Sequence, residues 1–158
     1  MTHSALLVID MQRDYLGKSS RYHYYPDALI DKVNERIQKA SQENTLIIYI
    51  KNRGRRQKMP YVSDFVEGLL VLSPYEFEKE KASAFTNLDF KTLLKNHEVS
   101  ELEVIGIDGN CCVASTALDA VKLGFLVTFP LNYIGMSSIG RFSKTKERLE
   151  NAGVRIIS

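Results

Sequence analysis

Cys112 is the side chain in this sequence best placed for covalent chemistry. It follows the apolar run Val104 to Ile107 and a turn of Asp108, Gly109 and Asn110, and a helical pattern begins near Cys111. A strand–turn–helix elbow puts a thiol at a helix N-terminus, where unpaired N–H groups and the positive dipole end lower a thiol pKa and can hold an oxyanion. Cys111, its neighbour, reads as structural. Asp10 directly follows another apolar run, Ser4 to Ile9. A carboxylate there belongs at a sheet edge, where partial burial raises its pKa and suits it to accept a proton. Lys79 closes the stretch Tyr75 to Lys79, which alternates like a short edge strand. Lys81 lies two residues on and shares the same face, so spacing alone does not choose between the two lysines.

These residues need a scaffold that brings strand ends together. Thr45 to Ile50, Phe125 to Phe129 and Val154 to Ile157 are apolar runs like the two already named. Continuous β-branched runs mean burial on both faces, as in a parallel sheet covered by helices. Helical spacing joins Leu29, Ile30, Val33, Ile37 and Ala40; then Val113, Ala117, Ala120 and Val121, stopped by Gly124; then Ile139, Phe142, Leu149 and Ala152, stopped by Gly153. A shorter helix fits Leu88 to Lys95. The alternation predicts an α/β, doubly wound sheet formed by a single domain over residues 1–158. Tyr15 to Pro26 and Lys51 to Pro60 fit no element. Both leave strand ends, where open α/β sheets bind ligands.

Composition narrows the function classes. A chain of 158 residues can bury a sizeable core without staples, and its two cysteines are adjacent, so they describe no disulfide framework. A formal net charge of +2 is too small to suggest a nucleic-acid partner. No apolar run suits a membrane span or a signal peptide, which leads to the expectation of a cytoplasmic protein with no membrane partner. The three histidines, His3, His23 and His97, are scattered and make no metal cluster.

Three segments resemble the isochorismatase-like cysteine hydrolases, a family that includes nicotinamidases, N-carbamoylsarcosine amidases and isochorismatases. Leu7-Val8-Ile9-Asp10-Met11-Gln12-Arg13-Asp14-Tyr15 is similar to the family's opening "LVIDMQNDF". Lys79-Glu80-Lys81-Ala82-Ser83-Ala84-Phe85 is similar to "K-x-x-x-S-A-F". Gly106 to Ala117, followed by Asp119-Ala120, is similar to "G-x-x-T-x-x-C-V-x-x-T-A-x-D-A". The resemblance selects Lys79 over Lys81 and Cys112 over Cys111, with Asp10 as catalytic aspartate. It implies a six-stranded, mainly parallel sheet of order 3-2-1-4-5-6 with helices on both faces. It also implies a cis peptide at Ile107–Asp108 and an oxyanion hole made by the backbone N–H groups of Asp108 and Cys112.

Two departures from the family pattern stand out. Asp108 and Gly109 replace a small residue and a Thr, and a carboxylate close to the thiol opposes its ionisation unless it turns away. The metal ligands of the nicotinamidase branch, Asp-x-His and a second His after the second strand, give way to Arg53, Arg55 and Arg56. The expectation is therefore an amidase-type enzyme with no metal and no cofactor, acting on a small molecule. Gln12, Tyr15 and Arg53 are the candidate pocket residues, with Tyr22, Tyr24 and Tyr25 as further wall candidates. The basic stretch Lys51 to Lys58 is expected to favour an anionic substrate group. Vinyl-ether hydrolysis of isochorismate and a non-catalytic binding or assembly role are the alternatives. A homo-oligomer is expected, because Phe65 to Leu72 is apolar for a free loop.

Overall fold

The computed structural model describes residues 3–158. Its centre is β1 (Ser4–Ile9), whose side chains alternate between two apolar layers. Ala5, Leu7 and Ile9 face one layer, while Leu6 and Val8 face the other. β2 (Leu46–Asn52) does the same, with Ile48 and Ile50 on the first side and Ile47 and Tyr49 on the second. This double burial explains why the strands read as unbroken apolar runs.

Helix α1 (Ala28–Gln42) closes the second layer with Leu29, Val33, Ile37 and Ala40, all buried. A short hairpin follows β2: β3 (Gly54–Arg56) and β4 (Met59–Tyr61), paired antiparallel. Next come β5 (Glu76–Lys79), α2 (Leu88–Asn96), β6 (Glu101–Ile107), α3 (Cys112–Lys122), β7 (Leu126–Pro130), β8 (Ile134–Gly135), α4 (Phe142–Ala152) and β9 (Arg155–Ile157). Buried residues of α2, α3 and α4 fill the first layer. Gly124 and Gly153 follow the last turns of α3 and α4 with positive φ, as the stop signals predict.

The main sheet runs β5-β2-β1-β6-β7-β9, every pair parallel, and β8 adds a seventh strand against the end of β6. Counting β5 as the third long-range strand, this is the expected order 3-2-1-4-5-6. Ile139 differs from expectation: it precedes α4 and is 81% exposed. Phe65 to Leu72 also differs. It forms no helix, yet Phe65, Val66, Leu69 and Leu70 pack into the second layer. Its apolar character is thus satisfied largely within the chain and gives no argument for a partner.

The register sets the strand ends side by side. Ile9 lies opposite both Ile50 and Gly106, and Asn52 lies opposite Lys79. Gly106 is required here: its φ is +112°, and a Cβ would sit 2.1 Å from the Ile9 carbonyl oxygen. Neither the backbone angle nor the strand spacing tolerates a side chain. Gly106→Ala is expected to destabilise the fold by about 3 kcal/mol or more, read as a lower urea midpoint. An unchanged midpoint would contradict the packing of β1 against β6.

Candidate active site

Asp10, one residue beyond β1, has φ +56°, a left-handed conformation that Asp tolerates better than most residues. Its N–H still donates to the Ile50 carbonyl at 2.9 Å. The chain thus breaks out of β1 at the carboxylate, a backbone outlier of the kind that clusters at functional sites.

Lys79, the last residue of β5, is buried, and its Nζ donates to Asp10 Oδ2 at 3.2 Å and to Asn52 Oδ1 at 3.1 Å. Both partners of this ion pair are nearly inaccessible, at 3% and 4% exposure. Lys81 plays no part in it. Asp10 Oδ1 is buried and receives no well-formed hydrogen bond among the described residues. A buried charge left half-satisfied costs stability and marks a site kept for something other than packing. Asn52 carries no motif; the one sign of it in the sequence is a polar residue ending an apolar strand.

Cys112 opens α3 and is half-buried beside Asp10. Its N–H is among the first of the helix, which have no acceptor within it. The preceding peptide Ile107–Asp108 is cis, as expected. Asp108 turns away: its carboxylate accepts from Tyr25 Oη at 3.0 Å, from the Ser137 N–H at 2.7 Å and from the Asn110 N–H at 2.8 Å. Three donors satisfy a charge that would otherwise oppose the thiolate. Burial, followed by the neighbouring Asp108 charge, raises the Tyr25 phenol in turn, so that ring stays a neutral donor.

The thiol differs from expectation. Burial, and then the Asp10 charge, push the Cys112 thiol well above its usual range, and the Lys79 ammonium offsets only part of this. The dipole of a helix end cannot outweigh burial beside a carboxylate. The Cys112 side chain is therefore a neutral thiol at rest. Burial also raises the Asp10 carboxyl, against the pull of Lys79 and then of the Cys112 thiol. The two groups titrate as a pair.

The sequence segments that flank the site tie it together. Ser83 caps the turn after Lys79 by accepting from the Phe85 N–H, and the Ala84 N–H donates to buried Thr116 Oγ1 on α3. The lysine segment and the cysteine helix are thus bonded directly to each other.

Above Asp10 and Cys112 lies a cavity of about 280 Å³ whose wall includes Tyr15, Tyr22, Tyr24, Tyr25 and Asn52. All four tyrosines expected in the wall are there. Tyr22 and Tyr24 stack at 5.4 Å, and Tyr15 Oη accepts from Asn52 Nδ2 at 3.0 Å. The other two pocket candidates are placed elsewhere. Gln12 is fully buried, donating to the Asn52 and Ser63 carbonyls at 3.1 Å and accepting from the Asn52 N–H at 2.7 Å. It is a strut behind the site. Arg53 points away along the sheet edge, paired with Glu78 at 2.8 Å and Glu80 at 3.2 Å.

An open α/β sheet with a buried Asp–Lys pair beside an elbow cysteine defines a class of hydrolase fold. The isochorismatase domain profile matches residues 4–157, and the chain belongs to the isochorismatase family. It is 24% identical over 147 residues to a protein of Arabidopsis thaliana named "Probable inactive nicotinamidase", covering 78% of this chain and 75% of that one. Among solved structures it is similar to the pyrazinamidase of Pyrococcus horikoshii in complex with zinc, with 24% identity, TM-score 0.83 and 99% of both chains covered. It is also similar to N-carbamoylsarcosine amidase of Thermoplasma acidophilum, with 18% identity, TM-score 0.80, and 99% of this chain and 96% of that chain covered. At these identities the structural likeness speaks for the fold.

The zinc of the Pyrococcus structure raises the question of a metal here. Among the described residues no three His, Cys, Asp or Glu side chains come together as a ligand set. The residues after β2 are Asn52, Arg53, Gly54, Arg55 and Arg56. They do not fit a divalent cation. Among the described residues no helix is long and apolar enough to cross a membrane.

Proposed function

We propose that this protein is a cysteine hydrolase that cleaves a C–N bond of a small amide through a thioester on Cys112, without a metal. The observation that carries this reading is the buried Lys79–Asp10 pair beside the thiol, with Asp10 Oδ1 left without a well-formed bond. In this reading Asp10 takes the proton of Cys112 as the sulfur attacks the carbonyl carbon. Burial raises the carboxyl and strengthens it as a base, while the Lys79 ammonium pulls the other way, toward the charged form. The N–H groups of Asp108 and Cys112 hold the oxyanion, each worth roughly 100- to 1000-fold in rate. Protonated Asp10 then gives its proton to the departing nitrogen. Water, deprotonated by Asp10, hydrolyses the thioester and frees the thiol. The tyrosine wall suits a flat or partly apolar acyl group.

The test is ammonia release from a panel of small primary amides by the wild-type protein and by Cys112→Ala. Release that depends on Cys112 supports the reading. No release from any amide, or release that survives the substitution, refutes it.

A further inference from the structure

A second cavity, of about 320 Å³, lies next to the reactive one, and Tyr15 and Tyr22 belong to the walls of both. Its far side is the β3–β4 hairpin, which fits no sequence pattern because its turn residues, Gln57 and Lys58, take positive φ without being Gly or Asn. Gln12 holds both ends of this hairpin, bonding Asn52 before it and Ser63 after it. The hairpin is therefore fixed to the same segment that carries Asp10.

The cations of the basic stretch are not equivalent. Lys51 ends up in the sheet, 3.4 Å from Glu76 and over the Phe65 ring. Arg53 is taken up by Glu78 and Glu80. Arg56 lies 3.7 Å from Asp14 and stacks 4.0 Å over the Tyr61 ring. Arg55 and, from the tyrosine segment, Arg21 both line the second cavity, and neither has an acidic partner among the described residues. Asp14 and Arg56 line the same cavity and offset each other's charge, so the two unpaired guanidinium groups leave this concave site with a net positive potential. Their planar forks suit a carboxylate.

We infer that Arg21 and Arg55 form a carboxylate-binding annex to the reactive cavity. The substrate is then an amide carrying an anionic group at its other end, such as a monoamide of a short dicarboxylic acid. This deepens the proposed function and rests on it for the orientation of the amide toward Cys112.

The test uses full-length Cys112→Ala protein and isothermal titration with succinamate, glutaramate and adipamate, each beside its neutral diamide. At least one monoamide anion is expected to bind about tenfold more tightly than its diamide. Arg21→Ala or Arg55→Ala should erase that difference, weakening the monoamide anion far more than the diamide. Lys58→Gln, an exposed cation of the same hairpin outside the cavity, should keep it. Equal binding of anion and diamide, no binding of any of them at millimolar concentration, or loss of the preference in Lys58→Gln as well would overturn the inference. Ammonia release by the wild type separates the two claims. If Cys112-dependent release persists while the annex arms fail, only the annex falls. If the anions bind through Arg21 and Arg55 but no amide is hydrolysed, the annex stands and the cysteine hydrolase reading falls.

Discussion

Cys112→Ala is expected to lower amide turnover by roughly 1000-fold or more, because the bond-forming atom itself is removed. Cys111→Ala is expected to stay close to wild type. Both cysteines line the tyrosine cavity, so Cys111 is not the structural residue its sequence position suggests; it is exposed, whereas Cys112 is half-buried and is the thiol that meets the Asp10 carboxylate. Far-ultraviolet dichroism and a urea titration of both variants show whether the fold is kept. Neither thiol is a fully buried core side chain, so a large loss of stability is not expected from either change. A Cys112→Ala protein that still turns over amides at wild-type rate would remove the thiol from the mechanism.

Asp10→Asn is expected to act in opposite directions on two readouts. Turnover should fall by about 100- to 10,000-fold, since neither the thiol nor the leaving amine then has its proton partner. Alkylation of Cys112 by iodoacetamide should speed up. The sign follows from what holds the thiol neutral: burial first, then the Asp10 charge, with Lys79 pulling the other way. Removing the carboxylate deletes one raising influence and frees Lys79 to favour the thiolate. Each unit by which the thiol pKa drops should raise the alkylation rate roughly threefold, because the gain in thiolate exceeds the loss in nucleophilicity. The assay is run in a Cys111→Ala background, since Cys111 is the more exposed thiol. Loss of both turnover and alkylation would mean that Asp10 merely supports the fold.

How much of this was legible in the sequence differs from residue to residue. The strands were readable because both faces of the sheet are buried, which leaves runs such as Leu6 to Ile9 with no polar interruption. The site residues were readable because parallel strands ending in register leave Asp10, Lys79 and the turn before Cys112 at one edge. The choice of Lys79 over Lys81 came from the resemblance to a family, since alternation treats the two alike. Gln12 and Arg53 were misplaced because nearness to a strand end does not tell which way a side chain points. Gln12 turns inward to three backbone partners, and Arg53 lies on the β5 side, where Glu78 and Glu80 hold it. The raised thiol is not legible because helix position can be read from sequence, whereas burial beside a carboxylate depends on how α3 packs over β6 and β7.

A covalent bond between Cys112 and the acyl group is the central requirement of the proposed mechanism. The direct measurement is acid quench of the Cys111→Ala protein during hydrolysis of an amide from the panel, followed by peptide mass mapping. The peptide that carries Cys112 should gain the mass of the acyl group, and the gain should disappear when Cys112 is also changed to alanine. Steady hydrolysis with no acyl group on that peptide, at quench times shorter than one turnover, would contradict a thioester mechanism.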